Sequence, residues 1–201
     1  IGMSDDIKRK YNISVWQDLK LNYWAIPKVA NTAIKVALSG YNANPNKKYS
    51  KVKWVHNPNN VTYVDRKIAL QNNYKNFTVI RHPYDRFISL YKDFGLRRPL
   101  IKTKDISTID NFIQFINLYH YNDNDSNIHI RSMHYYLTDG NNILVNDIIQ
   151  LKDAAAYLKQ YNLDLKVFNK TADLDIILTD TQKEHIYNRY KKDFETFGFT
   201  I

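Results

Sequence analysis

Two short apolar runs constrain this chain more than any other feature, because each is followed at once by a basic turn and a helix-like segment. The first is Tyr23-Trp24-Ala25-Ile26, which passes through Pro27-Lys28-Val29-Ala30-Asn31 into Thr32-Ala33-Ile34-Lys35-Val36-Ala37-Leu38. The second is Asn76-Phe77-Thr78-Val79-Ile80, which breaks at Arg81-His82-Pro83. Pro83 suits the first turn of a helix, and Phe87, Leu90, Tyr91 and Phe94 then fall at helical spacing. Strands alternating with helices predict an α/β domain with a mainly parallel sheet. Such sheets bind ligands at the carboxyl ends of their strands, where both basic turns lie. A helix start leaves backbone N–H groups without partners, so Lys28 in the turn and Thr32 at the helix entrance make an anion cradle.

The rest of the chain fits around these two units. Residues 1–20 read as an N-terminal helix or arm, anchored by Ile7, Tyr11, Val15, Trp16 and Leu19. Lys51 to Val55 alternates as a short strand, closed by His56-Asn57-Pro58, and Val61 to Leu70 reads as a short helix or irregular segment. Gly95 is placed to stop the helix begun at Pro83. Ser107 to Tyr119 forms an amphipathic helix with Ile109, Phe112, Ile113 and Ile116 on one stripe. Ile143-Leu144-Val145 and Ile148–Leu151 mark a third strand region, followed by a helix over about Asp153–Gln160. The last helix runs from about Thr181 to Phe197 and stops at Gly198. With no internal repeat and no linker, residues 1–201 read as a single domain.

Composition narrows the chemistry. There are no cysteines, which excludes disulfides, thiolate catalysis and cysteine-based metal sites. That absence, with no signal peptide and no apolar run of membrane-spanning length, sets the expectation of a cytoplasmic protein away from membranes. The 29 Lys and Arg against 20 Asp and Glu leave a formal charge of +9, which asks for an anionic partner. These cations are scattered rather than clustered, so a small polyanionic ligand or an acidic polymer fits them better than nucleic acid.

The first basic turn is not a nucleotide-hydrolase P-loop. That motif needs GxxxxGK[ST], with the lysine directly before the hydroxyl residue. Here Lys28 precedes Thr32 by four positions, and the loop has no glycine. A magnesium-dependent kinase or hydrolase is not expected.

Pro27-Lys28-Val29-Ala30-Asn31-Thr32 resembles instead the 5′-phosphosulfate loop of the sulfotransferases that use 3′-phosphoadenosine 5′-phosphosulfate (PAPS). The likeness is nearest to the carbohydrate branch (type 2, Golgi-carbohydrate-like), with its PK-x-A/G-x-T loop. Phe77 to Tyr91 resembles that family's 3′-phosphate motif, a strand followed by R-x-P-x-x-R-x-x-S-x-Y. Ile128 to Leu137 and Tyr190 to Phe199 are similar to its histidine-containing segment and its terminal helix, with Met133 where many relatives carry glutamine.

The resemblance implies a three-layer, P-loop NTPase-like sulfotransferase fold and in-line transfer of a sulfuryl group from PAPS to an acceptor hydroxyl on a carbohydrate. PAP would be the product, and no metal would be required. Lys28 would neutralise charge on the leaving phosphate. Backbone groups of Val29, Ala30, Asn31, Thr32 and Ala33, with the Thr32 hydroxyl, would hold the 5′-phosphate. Arg81 and Ser89 would bind the 3′-phosphate, while Arg86 reads as a structural ion-pair partner. His56, between the two motifs, is the favoured general base. His129 and Arg131 are expected to face the acceptor. The competing expectation is a non-catalytic basic module that binds nucleic acid or a sulfated polymer.

Overall fold

A computed structural model describes residues 13–40, 55–57, 60–97, 105–124, 126–166 and 174–201. In chain order the strands are β1 (Ile13–Trp16), β2 (Leu21–Trp24), β3 (Thr62–Val64), β4 (Lys75–Ile80), β5 (Thr138–Asp139), β6 (Asn142–Ile143) and β7 (Asp147–Gln150). The helices are α1 (Asn31–Leu38), α2 (Arg66–Gln71), α3 (Pro83–Tyr91), α4 (Ile109–Tyr119), α5 (Met133–Leu137), α6 (Ala154–Lys159) and α7 (Asp180–Phe197). They gather into two compact units: Ile1–Ile80 with Leu137–Phe168, and Arg81–Tyr136 with Asn169–Ile201.

The first unit is built on a five-stranded sheet in the order β3-β1-β2-β4-β7. Strands β2, β4 and β7 run parallel, as expected, but β1 is antiparallel to both β2 and β3. Strand β3 runs in the same direction as β2, β4 and β7, so four of the five strands share one direction and β1 alone opposes them, and the N-terminal segment differs from the expected helix or arm. Its residues 13–16 form a strand, while residues 1–12 of that expectation lie outside the described residues. The cause is the short connection Gln17–Leu19, one 3-10 turn ending in Lys20 at φ 52°, which returns the chain at once. A link this short can join only antiparallel neighbours; a parallel partner needs a crossover.

The strand expected over Lys51–Val55 also changes. Residues 51–54 lie outside the described residues, and Val55 is helical, with His56 in the turn that follows. Val61 to Leu70 resolves into β3 and the start of α2, capped by the Asp65 carboxylate on the Ile68 N–H at 2.9 Å. Of the third strand region, Ile143 belongs to the small β5–β6 hairpin, and β7 is the strand that joins the main sheet.

Side chains alternate across a strand, and the two faces of β2 and β4 are chemically opposite. Leu21, Tyr23, Phe77 and Val79 face one way and pack with Ile34, Ala37 and Leu38 of α1 and Ala154, Tyr157 and Leu158 of α6. The rings of Tyr23 and Phe77 stack at 5.0 Å. The other face is polar and equally buried. The Asn22 amide donates to the Ala69 carbonyl and the Asn72 and Asn76 oxygens at 2.8–3.0 Å, and Asn72 donates back at 2.9 Å. Trp24 Nε1 reaches Asn76 Oδ1 at 2.8 Å, and Thr78 donates to the Trp24 carbonyl at 2.7 Å. Each amide lost from such a layer leaves buried partners unmatched, at about 1–3 kcal/mol per group. Helix α2, which carries Ala69, lies on this face.

The second unit is helical. Phe87 and Leu90 of α3, Phe112 and Ile116 of α4, and Ile186 and Phe194 of α7 form its core. Gly95 does not stop α3; a π-helical turn carries the backbone on through Lys92–Arg97. The glycine is needed for space, because a Cβ there would sit 2.5 Å from the Tyr91 ring. Helix α7 opens on a capping box of Thr179 and Gln182 and closes on Gly198 at φ 67°, as its composition implied. Among the described residues, no helix is long and apolar enough to cross a membrane.

Candidate active site

The loop between β2 and α1 is held in an unusual backbone state. Lys28 has φ 70° and Ala30 has φ 60°, two left-handed residues of which neither is glycine. Each such residue costs roughly 1–2 kcal/mol relative to right-handed backbone. Burial on both sides enforces the geometry: Ile26 and Val29 are wholly enclosed and pin the loop, while Ala30 is exposed at its tip. Alternating left-handed residues turn successive N–H groups inward, the arrangement of an anion-binding nest.

The helix entrance points to the same chemistry. The N-cap of α1 is Ala30, which has no side chain to cap with, and no acidic residue lies in the first turn. Alanine is a poor N-cap, so an external anion is the natural partner for these N–H groups and for the positive end of the helix. Pro27, Lys28, Asn31 and Thr32 are all partly exposed around the turn.

Thr32 connects this loop to His56. Its Oγ1 lies 3.0 Å from His56 Nε2, which brings together two residues that the sequence separates by 24 positions. His56 is exposed in overall area, yet crowding of its ring and the nearby Lys35 ammonium push its pKa down to about 4. The imidazole is therefore neutral at pH 7, with one nitrogen able to accept a proton.

Lys35 is the residue that sequence reasoning missed. It is 2% exposed, one helical turn beyond Thr32, and burial lowers its pKa to about 8. Its Nζ donates to the Tyr63 hydroxyl at 3.0 Å and stands 4.7 Å from the centre of that ring. The available signal was a lone lysine inside the apolar helical run Ala33–Leu38.

The second motif's turn and helix belong to the second unit. Arg81 directly follows β4, the strand parallel to β2, so the two basic turns leave neighbouring strands at the same end of the sheet. Arg81 is half-buried; desolvation lowers its pKa, and the Asp85 carboxylate opposes that shift. Ser89 is half-buried on α3, two turns along. Between them, His82 serves the fold. Its Nδ1 accepts from the Tyr84 N–H at 3.3 Å, its Nε2 meets the Thr200 carbonyl at 3.0 Å, and its ring packs edge-on against Phe194 and Phe199.

Two arginines have structural work. Arg86 is buried, donates to the carbonyls of Arg131 at 2.6 Å and His129 at 3.3 Å, and its charge favours the ionised form of the buried Asp193 carboxylate, in keeping with the structural role expected of it. Arg131, expected to face the acceptor, is 1% exposed. It donates to the Ser126 and Asn124 carbonyls at 3.1 and 3.0 Å and stacks 4.8 Å from the Tyr135 ring. Its guanidinium braces the backbone at Asn124 and Ser126 instead of reaching solvent. His129 is partly exposed, with Nδ1 3.0 Å from Asn127 Oδ1 and its ring edge-on to Phe94 at 5.0 Å. No group of three or more His, Asp or Glu is arranged to hold a metal among the described residues.

A mixed α/β sheet with a basic, left-handed turn lacking a side-chain cap at the end of β2 has the setting in which α/β proteins bind anions. A family model described as "Sulfotransferase family" matches residues 11–175, and the chain belongs to that family. Members transfer a sulfuryl group and generally draw it from PAPS. No curated protein and no solved structure matches the chain.

Proposed function

We propose that this chain moves the sulfuryl group of PAPS to a hydroxyl of a carbohydrate acceptor, within the carbohydrate branch of the family and on a P-loop NTPase-like scaffold. The observation that carries the reading is the left-handed loop at Lys28 and Ala30, opening onto an uncapped helix and tied through Thr32 to a neutral histidine.

PAPS supplies an activated sulfur bonded to a phosphate leaving group. Lys28 neutralises the charge that grows on that phosphate as its bond to sulfur breaks. The N–H groups from Val29 to Ala33 and the Thr32 hydroxyl hold the 5′-phosphate, and Arg81 and Ser89 hold the 3′-phosphate. His56 takes the proton from the acceptor hydroxyl as the new oxygen–sulfur bond forms, and the electron pair of the broken bond leaves with the phosphate. A pKa near 4 keeps His56 ready to accept but makes it a weak base. A bound anion beside it would raise that affinity for protons by Coulombic attraction. His129 is retained as an acceptor contact; Arg131 is not, because its guanidinium is committed to the loop carbonyls.

Calorimetric titration with PAP tests the donor site: stoichiometric binding is expected, lost in Lys28→Ala. A polyanion-binding module would instead bind long polyanions with strong salt dependence and be indifferent to Lys28. Incubation with labelled PAPS and a panel of glycans tests the transfer. Failure to release PAP with any hydroxyl acceptor would sink the enzymatic reading.

A further inference from the structure

We propose that Lys35 is a positioning residue for His56, which it fixes against Thr32 through Tyr63 and the Val55 backbone. The inference rests on the reading of His56 as the base, and it assigns work to a buried cation that the transfer chemistry leaves unused.

The geometry is a closed circuit that begins and ends on one turn of α1. Lys35 Nζ donates to the Tyr63 hydroxyl at 3.0 Å. That hydroxyl donates to the Val55 carbonyl at 3.0 Å, which fixes the residue immediately before the histidine. The His56 ring then reaches back to Thr32 Oγ1 at 3.0 Å, three positions before Lys35 on the same helix. Residues three apart share a helix face, so the circuit closes without strain. Tyr63 is supplied by β3, which the sheet holds in register through the pairing of Ser14 with Tyr63. His56 lies on irregular backbone, and this circuit replaces the rigid element it lacks.

A lysine is a costly way to make such a tie. A buried ammonium bears a desolvation penalty that an apolar side chain of the same length avoids, and only its charge and its three donors distinguish it. The charge acts on His56: among the described residues, the Lys35 ammonium is the charged group that bears on the ring, and it disfavours imidazolium. The Tyr63 phenol, with its pKa pushed up to about 12 by burial, stays neutral between them. Lys35 therefore fixes where the ring stands and adds to the burial that already disfavours imidazolium before the donor arrives.

The test uses the full chain with ring-labelled histidine, its His56 signals assigned by their loss in His56→Gln. The wild-type ring is expected to titrate far below the ordinary histidine range. In Lys35→Met, titration should move upward by roughly half to one unit as the like charge is removed. Tyr63→Phe keeps the ring beneath the ammonium but cuts the link to Val55. It should broaden or shift the His56 signals while the far-ultraviolet spectrum stays unchanged. With PAPS and an accepted glycan, Lys35→Met should lower kcat roughly 10- to 100-fold with little change in donor KM, and move the acidic limb of the pH profile with the ring. An unmoved His56 titration in folded Lys35→Met overturns the inference whatever the enzyme does. Full turnover in His56→Gln overturns the base assignment instead, and the positioning role with it, even if the titration moves.

Discussion

Replacing Ala30 with glycine should make the protein more stable and a poorer binder of its donor. Ala30 sits at φ 60° and ψ 24°, exposed, as the N-cap of α1. An L-residue there bears roughly 1–2 kcal/mol of backbone strain, which glycine does not. Against that gain stands the greater freedom of a glycine in the unfolded chain, about 0.4–1 kcal/mol. Glycine is also a better N-cap than alanine by several tenths, and the exposed methyl contributes almost no burial. The balance is a gain of about 1 kcal/mol, which for a chain of this size raises Tm by about 2–4 °C. The loop would then sample other shapes in the absence of ligand, so PAP affinity should fall by about three- to fivefold through lost preorganisation. Urea unfolding at fixed pH gives the first quantity and calorimetry with PAP the second. Ala30→Val is the opposing control, with a β-branched side chain in left-handed backbone, and should lose more than about 1 kcal/mol. A loss of stability in Ala30→Gly would refute the strain argument; a gain with unchanged PAP affinity would refute its link to binding.

Three further outcomes follow from the same structure. The unfolded chain protonates His56 near its ordinary value and the folded chain only near pH 4, so the unfolded state holds more protons in between and stability falls as pH drops through that window; urea midpoints at pH 7 and pH 5 should differ less in His56→Gln than in wild type. Asp193, wholly buried with a pKa raised to about 6 by desolvation, accepts the Met133 and His134 N–H groups at 3.0 and 2.7 Å, and Asp193→Ala should lose roughly 2–4 kcal/mol in chemical denaturation by stranding both. Gly95→Ala forces the Tyr91 ring aside, with a Cβ 2.5 Å from it, and should lose roughly 1–3 kcal/mol by the same assay.

The parts of this fold that were legible in the sequence are those where local and tertiary preferences agree. The β4 strand, the Pro83 helix start and the Gly198 stop each carry their own signal and formed where that signal lay, while β2 covers Leu21–Trp24 and ends two residues before the apolar run Tyr23–Ile26 does. The N-terminal strand was hidden because Ile13 to Trp16 has no strong period of its own; it becomes a strand by pairing with β2 across a 3-10 turn. Gly95 misled for a related reason, since the residue that ends helices by conformation is here required by the bulk of Tyr91. For the candidate site, Lys28 and Thr32 could be proposed from spacing and His56 from its place between the two motifs, and the structure adds the 3.0 Å approach of Thr32 to His56. Lys35 could not, because its meaning depends on Tyr63, which lies 28 residues away and arrives on an edge strand. Arg131 failed in the opposite direction: a cation beside a histidine looks like a ligand contact until its burial among carbonyls is known.

The polar face of β2 and β4 has a consequence for how this chain can change. Asn22, Asn72, Asn76 and Trp24 form one bonded set, so an apolar replacement at any single position strands the others. Substitutions there are tolerated only in concert, and these four positions should co-vary as a block among relatives. The block also works as an alignment key. Sliding β4 past β2 by one residue would set amides against the oily face and Phe77 against the amides. Because the two basic turns leave the ends of these strands, the same key fixes where each turn begins along the sheet. The start of the Lys28 turn is thereby held in register by residues that lie outside it.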